Sequence, residues 1–308
     1  MIDYNALPNR DRLLENVYTS SPVLEKTVVG SGIIPKKPVE VLSTVIPDLS
    51  SPIFELDGKW VTGAKVQTFY KKEGSTMNLL ATWFAIKDQV EPAEIKAKVA
   101  PEIQQVISED DVVAGLKRMI TLAREKQFHA LATNASHYAT GYTDTPSTKW
   151  NSGSNTTIIS DIQTGIKKLA LRGLNVTAMI LPNLVYQNIK FAPELQNIYT
   201  GREKVDVNFF KDLFDIPNIV VPSVTTHGVR KKNPVATDLW GDDVILLHTA
   251  PLGSGTYPSF IEAVLMDALV ERLPMDSETW KQDIIARECK GINFIKNDAA
   301  YLLKDVLA

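Results

Sequence analysis

A few short stretches of the 308-residue sequence hold residue types that could do chemistry. Asp242-Asp243, in "WGDDV" at 240–244, is similar to the paired aspartates that hold Mg²⁺ between two strands of a polymerase palm. That chemistry needs a further acid on a neighbouring strand. None stands out, so the pair reads as a turn into the strand Val244–Leu247. "PLGSGTYPS", at 251–259, has glycines that could bring backbone N–H groups to a phosphate. It lacks the lysine and spacing of a P-loop and reads as a flexible link. "NVTAMILPNLVYQNI", at 175–189, runs from an apolar β pattern through Pro182-Asn183 straight into a helical one. Such corners hold phosphates or nucleophiles in many enzymes, but this one offers no glycine and no Ser, Cys or Asp. Asn183 suits a helix N-cap, and the turn reads as a structural corner.

The remaining chemistry is sparse. His129, His137, His227 and His248 show no metal-ligand spacing to one another or to Cys289. His129 falls at the end of an amphipathic helix, as a surface or cap residue. Cys289 falls in a strand pattern, where an inert buried thiol is the ordinary case. A single cysteine forms no intrachain disulfide, which fits a reducing compartment. No catalytic, cofactor-binding or metal-binding residues are therefore assigned, and no cofactor is expected.

Composition narrows the class. Hydrophobic residues make up 44% of the chain, enough for a sizeable core. The net charge of −3 speaks against a basic nucleic-acid groove, so any DNA contact is expected to be weak and non-specific. The N-terminal residues carry charges throughout and lack the apolar core of a signal peptide, and no run is long enough to span a membrane.

The elements follow from periodicity. Residues 1–50 are apolar but marked by Pro8, Pro22, Pro35, Pro38 and Pro47, an extended arm that must lie on its own domain or on a neighbour. Residues 54–86 alternate β-branched or aromatic with polar residues, with turn signals at Asp57-Gly58 and Glu73-Gly74. This reads as a long, locally basic hairpin, or as an ordinary solvated edge. Residues 108–133 form the strongest helix. Ser108 is its N-cap, Glu109, Asp110 and Asp111 fill the first turn, and Val112, Leu116, Met119, Ile120 and Ala123 share a face. A polar stretch, 134–155, follows as a long connection, functional or merely a spacer. Helices are expected at 158–172, stopped by Gly173, at 183–191, and at 206–214 with Asp206 as N-cap. Strands are expected at 176–181, 218–222 and 243–249, an α/β layer. A helical piece near 258–272 and two strands, 279–288 and 291–296 pivoting at Gly291, complete the reading.

This order of elements resembles the major capsid proteins of tailed bacteriophages, the Hong Kong 97 phage fold also used by encapsulins. The phrases that carry the resemblance are "SDIQTGIKKLALRGLNVTAMILPNLVYQNIK", "KVDVNFFKDLFDIPNIVVPSV", "LWGDDVILLHTAP" and the closing "GINFIKNDAAYLLKDVLA". The resemblance implies a mixed α+β capsid fold. Its parts would be an N-terminal arm (1–50), an extended β-hairpin loop (51–86), and a peripheral domain (87–154) with a spine helix at 108–133. An axial domain (155–250) and a segment returning to the peripheral domain (251–308) complete it. It also implies self-assembly through pentamers and hexamers into an icosahedral virion shell, built in the host cytoplasm. Scaffolding and portal proteins, packaged double-stranded DNA and a possible decoration protein are the implied partners. No long charged helical segment precedes the arm, so scaffolding is expected either as a separate protein or as a segment that has been removed. Trp60, Lys71 and Lys72 on the loop and Glu109, Asp110 and Asp111 at the helix start are the expected inter-subunit contacts. An encapsulin-like nanocompartment shell, or a soluble α/β enzyme with its site in 134–155, are the alternatives.

Overall fold

The computed structural model describes residues 11–20, 33–38, 43–47, 76–90, 109–153, 156–198, 205–227, 236–249, 259–278 and 281–308. Two sheets organise them, joined by one long helix. We label the helices α1 (Arg12–Ser20), α2 (Glu109–Ala132), α3 (Ile158–Ala170), α4 (Asn183–Ile189), α5 (Pro193–Ile198) and α6 (Val207–Phe214). The strands are β1 (Lys36–Pro38), β2 (Ser43–Pro47), β3 (Thr76–Leu80), β4 (Thr82–Val90), β5 (Thr143–Asp144), β6 (Ala178–Ile180) and β7 (Asn218–Val220). They continue with β8 (Thr225–His227), β9 (Ala236–Asp238), β10 (Val244–Leu247), β11 (Ile261–Arg272), β12 (Gln282–Phe294) and β13 (Ala300–Leu303).

The first sheet has the order β1-β11-β12-β4. One face receives α2 and α1. Val112, Val113, Leu116 and Ile120 of α2 and Leu14 and Tyr18 of α1 pack with Val90, Val270, Ile284 and Ala286 of the sheet. Of the face expected for α2, Met119 departs: it is 51% exposed. Ser108 lies outside the described residues. Helix α1 settles part of the arm question, since Asp11 caps it and its own Val270 carbonyl accepts from the Asp11 N–H at 2.9 Å. The remainder of residues 1–50, apart from β1, β2 and 33–35, lies outside the described residues, as does the hairpin segment 54–75.

The expected helix at 258–272 is wrong. "IEAVLMDALVER" has helix-forming residues, but it is β11, paired with β12 along its length and with β1 on its other side. Ladder hydrogen bonds on both sides, together with burial of Leu269 and Val270, outweigh a propensity worth only tenths of a kcal/mol per residue. The two strands expected around a Gly291 pivot are one strand, β12. Gly291 has another role. The backbone at Leu80, where β3 gives way to β4, crosses directly over it, and a Cβ there would stand 1.7 Å from the Leu80 carbonyl oxygen. The Asn293 side chain clasps the same residue, accepting from Leu80 N–H and donating to Leu80 C=O, each at 3.1 Å.

The second sheet has the order β5-β13-β10-β6-β7. Every residue of β6, β10 and β13 is buried, as expected of strands covered on both faces. Helix α3 presses close enough that a Cβ on Gly165 would lie 2.5 Å from the Tyr301 ring. Glu194 of α5 supplies the missing cap of α3, accepting from Ile158 N–H and Ile159 N–H at 3.0 and 3.1 Å. Helix α6 is capped as expected, Asp206 Oδ1 accepting from Phe209 N–H at 2.8 Å. The 183 corner is structural, but its N-cap is Pro182, not Asn183, whose N–H instead donates to the Pro222 carbonyl.

The described part of the stretch, 134–153, is a strap, not a spacer. Its β5 pairs in parallel with β13, Trp150 N–H donates to the Val306 carbonyl, and Asn151 Oδ1 accepts from Ala308 N–H. Trp150 is 1% exposed, its indole N–H donating to Asp161 at 2.9 Å. β5 and β13 both belong to the five-stranded sheet, and the last segment serves both sheets.

Gly291→Ala is expected to lower stability by roughly 2–3 kcal/mol or more, because backbone must move to admit the methyl group. Chemical denaturation measures this, and an unchanged midpoint would contradict the crossing.

Candidate functional site

Where α2 passes from one sheet to the other, its sequence turns polar and buried. Its first half packs in the four-stranded core and its second half, through Phe128 and Ala132, in the five-stranded core. At the step between them stand Arg124 and Glu125, 7% and 1% exposed. Consecutive helical residues point about 100° apart, so the two reach different neighbours.

Glu125 reaches Trp240. The chain sets that indole by local means. Asp238 Oδ1 accepts from Trp240 N–H at 3.0 Å, and Gly241 follows at φ 58°, a left-handed turn that glycine adopts freely. The ring then lies across one turn of α2, on the face shared by positions i, i+3 and i+4. Its Nε1–H donates to Glu125 Oε1 at 2.9 Å, and the rings of Phe128 and His129 meet it edge-on at 5.6 and 5.1 Å. Trp240 is 1% exposed. Burying an indole removes on the order of 200 Å² of surface, a gross gain of about 5 kcal/mol. Sequence reading assigned neither Trp240 nor Glu125, and it expected His129 as a surface or cap residue. The ring of His129 is half-buried, because Trp240 arrives from more than 100 residues away.

Arg124 reaches the other way and pairs with Glu288 of β12. Tyr18 of α1 donates to the same carboxylate at 2.9 Å, and burial, reinforced by Glu288, drives the Tyr18 hydroxyl far above its ordinary range. At the start of α2, Arg272 of β11 bridges Glu109 and Asp11, the cap of α1. Of the residues expected at subunit contacts, Glu109 is thus drawn into an ion pair within its own chain. Asp110 and Asp111 are exposed on the first turn of α2. Trp60, Lys71 and Lys72 lie outside the described residues.

The structure does bring a third acid to Asp242 and Asp243. Asp305 lies beside them, with ligand atoms of all three within 4.8 Å of one another. The geometry explains the group without a metal. Asp243 Oδ1 accepts from Asp305 N–H at 3.0 Å and Asp242 Oδ2 from Leu307 N–H at 3.4 Å, so the pair holds the C-terminal tail. Burial raises Asp243 above the usual carboxylate range. A groove of about 880 Å³ runs between α3 and α6, lined by Ile166, Leu174, Val176, Phe214 and Ile216 with Lys211, Asp212 and Asp215. Its lining offers no Ser, Cys or His, and the hydroxyl of its Thr177 is bonded to Thr249.

The five-stranded layer exposes several large apolar side chains. Leu171, Leu184, Phe191 and Ile198 are 85%, 48%, 66% and 49% exposed. Phe191 lies just beyond the end of α4, and Leu184 lies in its first turn.

His129 gives a pH test of the Trp240 packing. Burial holds its imidazole below the ordinary 6.5, against a smaller opposing pull from Asp238. The unfolded chain therefore takes up a proton that the folded chain resists. The stability is full above about pH 6.5 and is lost as pH falls through that value. On going from about pH 7.5 to about pH 5.5, wild type is expected to lose more thermal stability than His129→Gln. Parallel losses would contradict the packing.

No family model and no curated protein matches the sequence. Solved structures do. The chain is similar to a phage-related protein of Bordetella bronchiseptica RB50, with 19% identity and a TM-score of 0.72 over 97% of this chain and 98% of that one. It is similar to the virus-like particle of Pyrococcus furiosus, with 14% identity and a TM-score of 0.56 over 94% and 96%. It is also similar to the capsid of cyanophage P-SCSP1u, with 9% identity and a TM-score of 0.55 over 90% and 88%. The likeness spans nearly the whole chain, and the fold is the Hong Kong 97 phage capsid fold, mixed α and β, expected from the order of elements.

Proposed function

We propose that the chain is the major capsid protein of a tailed-phage head, a structural subunit whose copies close into an icosahedral shell around double-stranded DNA. The observation that carries this reading is the end-to-end agreement in fold with a virus-like particle and a phage capsid. Two features of the chain agree with it. The five-stranded layer leaves large apolar side chains in water, and the buried polar groups at the α2 step, the tail and the strap serve structure. Head-to-tail contacts between such surfaces close into rings of five or six. Scaffolding and portal proteins complete the expected partners, with a decoration protein as an optional addition. DNA is met by a chain of net charge −3, a wall that holds it weakly.

Within this reading, Lys71 and Lys72 of one copy face Asp110 and Asp111 of the next, with Glu109 contributing less because Arg272 already offsets it. The purified protein, examined by sedimentation and electron microscopy, is expected to give closed particles or five- and six-membered rings. A monomer or dimer at every concentration would overturn the reading. Lys71→Glu with Lys72→Glu should weaken assembly more at low salt than at high salt, since exposed charges are screened over about 10 Å at ~0.1 M. Equal assembly at both salts would remove the charge pairing and leave the shell reading standing.

A further inference from the structure

Arg124 and Glu125 hold the two sheets in different ways from the residues around them. Along the rest of α2 the buried contacts with the two cores are apolar, Val113, Leu116 and Ile120 on one and Phe128 and Ala132 on the other, and the Glu109–Arg272 pair at its start is partly exposed. Apolar packing is nearly non-directional, and a helix can slide or tilt on it by small amounts at little cost. A hydrogen bond has no such freedom, since it weakens steeply once bent. At the step between the cores, the four-stranded sheet is held by an ion pair and the five-stranded sheet by a directional hydrogen bond. Arg124 grips Glu288 of β12 in the four-stranded sheet, and Glu125 accepts the indole proton of Trp240 beside β10 of the five-stranded sheet at 2.9 Å. The two grips spring from adjacent residues, so the angle between them is fixed by the helix itself.

Stability alone does not account for such residues. A carboxylate that is 1% exposed has lost its water, and the desolvation cost offsets most of what its bonds return. An apolar residue of similar size would pack as stably. A buried polar pair adds selection of one arrangement among several that bury the same surface. The neighbouring features point the same way. Asp238 fixes the Trp240 backbone from before and Gly241 turns it from behind, so the ring reaches Glu125 in a single pose.

We infer that the Trp240–Glu125 hydrogen bond is an orientation lock, which sets the angle between the four-stranded and five-stranded layers and, through it, the curvature of the shell. The part concerning curvature rests on the assembly reading above. The lock itself is a property of one subunit.

The test uses the full chain in four forms: wild type, Trp240→Phe, Glu125→Leu and Glu125→Gln. Trp240→Phe keeps a ring and removes the donor. Glu125→Leu keeps bulk and removes the acceptor, whereas Glu125→Gln keeps an acceptor oxygen. Particle diameters are measured by electron microscopy, and the shape of the dispersed subunit by small-angle X-ray scattering. Wild type and Glu125→Gln are expected to give a single diameter and a single compact scattering profile. Trp240→Phe and Glu125→Leu are expected to lose the single diameter and to broaden the subunit profile, with some loss of thermal stability because each leaves a buried polar partner unpaired. If Trp240→Phe does not fold, the Glu125→Leu and Glu125→Gln pair decides. A single wild-type diameter in both donor-less and acceptor-less forms overturns the lock. If no form assembles, the shell reading fails, and the scattering profiles still decide the lock: unchanged profiles overturn it.

Discussion

One helix has to satisfy two cores. The first half of α2 buries its apolar face against the sheet built from β4, β11 and β12, and its second half enters the core of the five-stranded sheet. A regular helix of 24 residues, about 36 Å long, cannot turn its face over to do this. It changes partners where Arg124 and Glu125 meet Glu288 and Trp240. The placement of other elements follows. Helix α1 lies where Tyr18 can share Glu288, and Asp11 lies where Arg272 can tie it to Glu109. The 236–241 segment ends in a turn because Trp240 has to face back toward α2.

The five-stranded sheet shows the same economy over a longer range. Its strands come from residues 143, 178, 218, 244 and 300 onward, so no local segment can form it. Closing such distant pairings costs loop entropy before it returns any contact, and chains of this kind fold slowly. The C-terminal residues are structural members. β13 fills the sheet beside β10, Asp242 and Asp243 hold the backbone after it, and the 134–153 strap covers its other edge. A mixed fold with these demands buries polar groups to hold itself together, and it leaves Leu171, Leu184, Phe191 and Ile198 exposed.

Legibility in the sequence followed the range of the interaction. Helices α2, α3 and α6 were readable because periodicity and caps are local: Asp206 caps α6, and Gly173 at φ 71° ends α3. The runs at 178–180 and 244–247 were readable because strands buried on both faces are apolar throughout. β11 was not readable. Its composition favours helix, and only its partners β1 and β12 make it a strand. Met119 falls on the expected stripe of α2 yet stays exposed. The cap that Glu194 supplies to α3 and the meeting of Asp305 with Asp242 and Asp243 are tertiary events without a local trace. The same holds for Trp240 on Glu125. A Trp before a glycine and an acid inside a helix were both visible, but their pairing was not.

The account stands on α2 as one beam set in two cores. Native-state hydrogen exchange along that helix tests it directly. If the beam is single, the amides around 112–120 and those around 126–132 become exposed with one common free energy, since neither core can release its half alone. Two separate free energies, with the 126–132 half opening while the 112–120 half stays protected, would contradict it.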